Sequence, residues 1–256
     1  MKRTILSMAG LATLLLLFPV PIFPQYYIPQ PLEIGGAGAL VKAFGMSAGD
    51  AGRIHPIGWS EDGKFAFLRV VTPQFKGRPI FEYRIFDAVR DEVVWELDDD
   101  TEDWPSDDPE MLRGALDIAW ERMGETVSAK LREYGIKQNH STEFSAFPYR
   151  RDEELLTAVL TMVSEADPYD GTPMGPAPYP DLIAEYTVTL QSSRRGSKRV
   201  TREDEIFAVA AWAEGYIESP YEKRIILLIG EKRMGFEMTP MLEYRFFGSH
   251  LGVGFE

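Results

Sequence analysis

The sequence contains no cysteine. That absence excludes disulfides, zinc–thiolate sites, thiol nucleophiles and acylation at a lipoprotein-type cysteine together. Histidine is almost as scarce: His55, His140 and His250 are far apart and show none of the local pairing of zinc sites. Positive charge is in deficit too. Twenty-seven Lys and Arg against 40 Asp and Glu give a formal charge of -13, which argues against binding nucleic acid through its phosphates. Beyond the N-terminal segment no apolar run is long enough to cross a bilayer as a helix. Apolar residues themselves are plentiful. At 45% hydrophobic and 12% aromatic, 256 residues can bury a sizeable core in one large domain or two small ones.

Lys2 and Arg3 precede an apolar run from Ile5 to Phe18, the pattern of a charged n-region followed by an h-region. A small-residue cleavage site is missing, because "PVPIFPQYY" follows. Residues 1–24 are therefore expected to be a signal peptide or a retained N-terminal anchor, with Pro19 and Pro21 against a spanning helix. Residues 25–53, rich in Gly and Pro, are expected to be a linker with one short strand around Leu40 to Phe44.

From residue 54 onward the dominant period is two. In "RPIFEYRIFD", Phe81, Tyr83 and Ile85 face one way, and Glu82 and Arg84 the other; "DEVVWEL" places Val93, Trp95 and Leu97 alike. "EELLTAVLTMVSEAD" is ambiguous between helix and strand, and its β-branched content decides for strand; "LIAEYTVTLQ", "EIFAVAAW", "KRIILLIG" and "MLEYRFFG" continue the series of strands. One helix, near 108–134, interrupts them. Leu112, Leu116, Ala119, Met123, Val127, Leu131 and Tyr134 form its apolar stripe. Asp107 or Asp108 is its expected N-cap and Gly135 its left-handed stop, with Ile136 folding back. The fold class expected is α+β: a single antiparallel β-rich domain over 54–250, a sheet or sandwich with one long amphipathic helix packed on it, and a tail over 251–256.

Candidate chemistry is sparse. Gly45-Met46-Ser47-Ala48-Gly49 matches the nucleophile pattern of serine hydrolases, but no helix follows Ser47, so no catalytic residue is assigned. The run from Asp98 to Glu110 holds eight acidic residues and no basic one. Asp98, Asp100 and Asp103 are its candidate metal ligands, with calcium the fitting cation, although the glycine of a helix–loop–helix calcium loop is absent. The alternative is a solvated loop that also caps the helix. Arg194, Arg195, Lys198 and Arg199 form a basic turn that either binds an anion, pairs with the protein's own acidic face or is an exposed hairpin tip. "HLGVGFE" has the look of a terminal outer-membrane barrel strand, but the helix and the short strands argue against a barrel.

"WSEDGKFAF", Trp59 to Phe67, resembles the S-P-D-G-(K/R) strand–turn–strand signature of propeller blades, and "ESPYEKRIILL" echoes it at Ser219-Pro220, with Lys223 matching Lys64. Gly49-Asp50, Gly58 to Phe65, Glu82 to Asp87, Tyr134-Gly135-Ile136, Ser219-Pro220 and Gly235-Phe236-Glu237 occur in the order of a bacterial family of predicted secreted proteins of unknown function. The chain resembles that family over roughly residues 49 to 248. The resemblance implies export and a soluble domain, and brings no catalytic residue.

The expected function is an exported, secreted or periplasmic, non-enzymatic domain that binds or scaffolds an envelope protein or glycan. Nucleic acid is not expected, and the membrane is touched only through a retained N-terminal segment. No cofactor is expected beyond calcium. The alternatives are a glycan hydrolase working with two carboxylates and a calcium-stabilised surface protein.

Overall fold

A computed structural model describes residues 30–32, 34, 52–71, 78–101, 114–138, 142–166, 181–234 and 240–256. Ser47, Asp103, Leu112, His140, both candidate N-caps and the short strand expected at Leu40 to Phe44 lie outside them.

Two antiparallel sheets and one helix account for the described elements. The first sheet contains β1 (Arg53–Trp59), β2 (Lys64–Val71), β3 (Ile80–Asp87), β4 (Glu92–Asp99) and β5 (Lys137–Gln138), in the order β4-β3-β2-β1-β5. The second has eight strands: β6 (Phe144–Ser145), β7 (Tyr149–Arg151), β8 (Glu154–Ala166), β9 (Asp181–Ser192), β10 (Gly196–Glu203), β11 (Ala208–Glu218), β12 (Arg224–Met234) and β13 (Pro240–His250). Its main path runs β13-β12-β11-β9-β8-β7, with β10 beside β9 and β6 beside β11. The α+β reading with antiparallel sheet is correct, and of "EELLTAVLTMVSEAD" the residues Glu154–Ala166 are strand. Among the described residues no helix is long and apolar enough to cross a membrane.

The period-two pattern explains how the layers stack. In β2, Phe65 and Phe67 point towards the second sheet and join Ile226 and Leu228 of β12, while Ala66 and Leu68 point the other way, to the helix. In β12, Ile225, Leu227 and Ile229 pack against β9, whose inward residues are Tyr186, Val188 and Leu190. Both β2 and β12 are thus buried on two faces, which is why their sequences are apolar runs and do not alternate.

α1 (Ala115–Glu133) covers the outer face of the first sheet. Ala119, Val127 and Leu131 of the expected stripe are buried, and Leu116, Met123 and Tyr134 are half-buried at its margin. The largest residue it inserts is Trp120, outside that stripe, whose ring lies 5.8 Å from Tyr83. The stop is as expected. Gly135 has φ +65° and Ile136 N–H donates to Leu131 O at 2.8 Å, the six-to-one bond that a left-handed residue permits.

Three expectations need correction. Val93 does not share the face of Trp95 and Leu97: a bulge lets Phe86 pair with Val93 and Ile85 with Trp95, skipping Val94, so Val93 is half exposed. The linker is not free throughout, since Leu32 N–H donates to Ile54 O at 2.7 Å and Leu32 and Ile34 pack on the inter-sheet core. Residues 251–256 are not a loose tail. Leu251 is buried, and Ser197 and Glu256 exchange two backbone hydrogen bonds of 3.0 Å.

Candidate functional site

The inter-sheet core is aromatic where the two sheets meet. Phe67 lies 4.8 Å from Phe246 of β13, and Phe86 lies 6.1 Å from the same ring. Residues one step further along the strands are charged, because alternation puts Arg69 on the face of Phe67, and Glu82 and Arg84 on the face opposite Tyr83. A cleft of about 310 Å³ results, floored by Phe67, Phe86, Tyr244 and Phe246 and walled by Arg69, Arg84, Arg245, Asp91, Glu92 and Glu203. Its size is that of a small-ligand pocket.

Each guanidinium in the wall is held by a carboxylate. Arg69 pairs with Glu82, Arg84 Nη1 with Asp98 Oδ1 at 2.5 Å, and Arg245 Nε with Glu231 Oε1 at 3.4 Å. Glu231 is completely buried. It accepts Tyr186 O–H at 2.6 Å and Arg233 Nε–H at 2.8 Å, and Arg233 also reaches Glu243 at 3.3 Å. Burial, and then the Glu231 carboxylate, push the Tyr186 phenol far up, so it remains a hydrogen-bond donor at physiological pH. The network holds Arg245, which borders the cleft, on the side of β13 that faces β9.

Two carboxyl groups are poised differently. Asp91, in the turn between β3 and β4, accepts Gly248 N–H at 2.7 Å. Burial and the neighbouring charge of Glu203 hold its carboxyl above the ordinary range, although the Gly248 bond opposes them. Glu214 is the bulged residue of β11, between Ala213, which pairs with Ile229, and Gly215, which pairs with Leu228. The bulge turns Glu214 inwards, where it is 5% exposed and accepts Trp212 Nε1–H at 2.5 Å. Desolvation raises its carboxyl, and burial, then the charge of Glu214, raise the Tyr244 phenol on the cleft floor.

No family model, curated protein or solved structure matches the chain. Aromatic rings packed at tilted angles, beside paired guanidinium and carboxylate groups, can hold a polar, ring-shaped ligand, and Asp91 beside Glu203 offers a protonatable group.

The residues singled out in the sequence are distributed differently. Asp98 sits at the cleft rim on Arg84, whereas Asp99, one residue on, points to the opposite face and meets Arg122 of α1 at 3.4 Å. Strand alternation thus divides the acidic run between two layers. Asp100 is exposed, and among the described residues no three His, Asp or Glu converge as a metal site. His55 is buried in β1, and His250 ends β13 in the other sheet.

The basic turn does pair with the protein's own acidic face. Arg195 makes two bonds to Glu154, and Arg194 pairs with Glu153. The turn also fastens the C-terminal segment: Arg195 donates to Leu251 O at 2.7 Å and stacks on Phe255, and Lys198 donates to His250 O at 2.9 Å. Burial and the neighbouring Arg224 and Arg195 lower the Lys198 ammonium.

The two serine turns lie side by side. Ser60 N–H donates to Lys64 O, and Ser219 N–H to Arg224 O, both at 2.9 Å. The second turn is thus one residue longer, and Arg224, not Lys223, occupies the place of Lys64. Gly63, at φ +90°, allows the close approach, since a Cβ there would stand 2.5 Å from Glu222 Oε1. The ring of Tyr221, in the second turn, lies under Lys137, which also pairs with Glu61 of the first.

Proposed function

We propose that the protein is an exported binding module of the cell envelope, acting without catalysis, whose inter-sheet cleft receives a glycan. The observation that carries the reading is the composition of the cleft. Phe67, Phe86, Tyr244 and Phe246 line its floor, and the guanidinium groups of Arg69 and Arg84, held by Glu82 and Asp98, stand beside it. Aromatic faces cover the C–H faces of a sugar, and fixed Arg and carboxylate groups meet its hydroxyls without having to be ordered on binding. Export is supported by the charged and then apolar N-terminus, and by the resemblance to a secreted family with its propeller-like serine-turn hairpins.

Titration of the full chain with N-acetylated and neutral envelope disaccharides, followed by calorimetry, tests the reading. Binding is expected, and Arg69→Ala is expected to weaken it by about tenfold, the loss of one charge-assisted hydrogen bond. Val93→Trp, at the open mouth of the cleft, is expected to abolish it with no loss of folded structure. Absence of binding at millimolar glycan, or binding that ignores both variants, would refute the assignment.

A second reading, hydrolysis by two carboxylates, is favoured by Asp91 and Glu203 facing one cleft. It requires new reducing ends to appear in the same mixtures and to vanish in Asp91→Asn, which keeps the acceptor for Gly248 N–H.

A further inference from the structure

β8 is long, and its outer half is paired on one side only among the described residues. Its far edge pairs with Tyr149–Arg151 of β7 only as far as Leu156, and from Thr157 to Ala166 that edge has no partner among the described residues. The direction of its backbone groups follows from two bonds. Arg151 and Glu154 close a two-residue hairpin, so Glu154 points its N–H and C=O towards β7. Leu155 O instead accepts Ser193 N–H, on the β9 side. The extra residue of the bulge opposite Val163 and Ser164 is Ala184 of β9, so the alternation along β8 is unbroken. Ala158, Leu160, Met162 and Ser164 therefore present outward donors and acceptors that no described residue pairs.

Exposed edges are ordinarily blunted by Lys, Pro or an edge bulge. From Leu155 to Ala166 there is no Lys, Arg, Pro or Gly, and the one charge is Glu165. Met162 and Val163 are exposed to 47% and 49%. The segment also complements itself. Antiparallel pairing about a two-fold axis at Thr161 sets Leu160 against Met162, Val159 against Val163 and Thr157 against Glu165. Both half-exposed apolar side chains then face apolar partners, and the two Glu165 carboxylates stand at opposite ends. A chain of charge -13 repels its copies over most surfaces; a strip with one carboxylate and no other charge lets two copies approach with little of that repulsion.

We propose that β8 joins two copies of this chain edge to edge about Thr161, extending the second sheet continuously through a dimer. The pairing adds about eight backbone hydrogen bonds. An isologous contact of this kind closes on itself and leaves no edge to propagate. The reading is independent of what the cleft binds.

Because the chain lacks cysteine, single cysteines report the register. In the proposed pairing the two Thr161 Cα atoms are about 4.5 Å apart, within disulfide reach, whereas the two Val163 residues are about 13 Å apart along the strands. Copper-phenanthroline oxidation of the full-length Thr161→Cys protein should give a covalent dimer, and of Val163→Cys should not. Light scattering on the unsubstituted chain should give a mass of two chains at micromolar concentration. Met162→Lys should raise the dissociation constant by at least about tenfold, with an unchanged circular dichroism spectrum. A monomer throughout the micromolar range, a dimer indifferent to Met162→Lys, or equal crosslinking at both positions would overturn the proposal.

Discussion

Replacing Glu231 with alanine is expected to lower the free energy of unfolding by about 3–5 kcal/mol, the cost of breaking a buried ion pair from one side. The carboxylate is fully buried and is the meeting point of Tyr186, Arg233 and Arg245. Without it, the Tyr186 hydroxyl loses its acceptor and Arg245 its carboxylate, while Arg233 keeps Glu243. Desolvated donors with no acceptor account for most of the loss. Glu231→Gln retains an acceptor for Tyr186 and is expected to lose less, and Tyr186→Phe about 1 kcal/mol. Urea unfolding midpoints measure all three. A loss below about 1 kcal/mol for Glu231→Ala would show that the network is not closed as described.

The second large effect is at the helix. Trp120→Ala is expected to cost about 3–5 kcal/mol, the usual cost of truncating a fully buried large aromatic side chain. For a chain of this size that lowers the Tm on the order of 10 °C. Trp120 is 2% exposed and rests on Tyr83, Ala119 and Leu131 lie along the same buried face, and Tyr134 O–H donates to Val94 O at the far end. A cavity opened between α1 and β3 cannot be filled by strands already fixed by their hydrogen bonds. Thermal melts followed by far-ultraviolet circular dichroism check the effect. A change within half a kilocalorie per mole would place α1 off the sheet.

Local order was legible in the chain; long-range convergence was not. The helix and its stop at Gly135 could be read because period and cap are written within about twenty residues. The strands could be read for the same reason, including β8, whose β-branched residues decided between helix and strand. Val93 was misassigned because a bulge changes the register without a mark in composition. Trp120 escaped the expected stripe because that stripe follows one line of aliphatic residues, while the buried face of α1 is wider.

The cleft was half visible. Glu82 and Arg84 were read as one face, but nothing near them in sequence shows that Phe246 and Arg245 lie opposite. Glu231 follows Gly230 directly, where the apolar strand was expected to end; β12 continues to Met234 and buries Glu231 because Tyr186, 45 residues earlier, supplies a partner. Such a pairing is a property of the folded sheet. The acidic run shows the converse. Its density suggests a metal, yet alternation sends Asp98 to Arg84 and Asp99 to Arg122.

The cleft, the Glu231 network and the β8 edge all depend on β12 being enclosed between the first sheet and the β8–β9–β10 layer. Native-state hydrogen exchange of the amides from Ile225 to Ile229 tests that enclosure most directly. These amides should exchange last of all, at the rate set by global unfolding and in step with denaturant. Their exchange by local opening, while amides of β2 and β9 remain protected, would contradict the layered core.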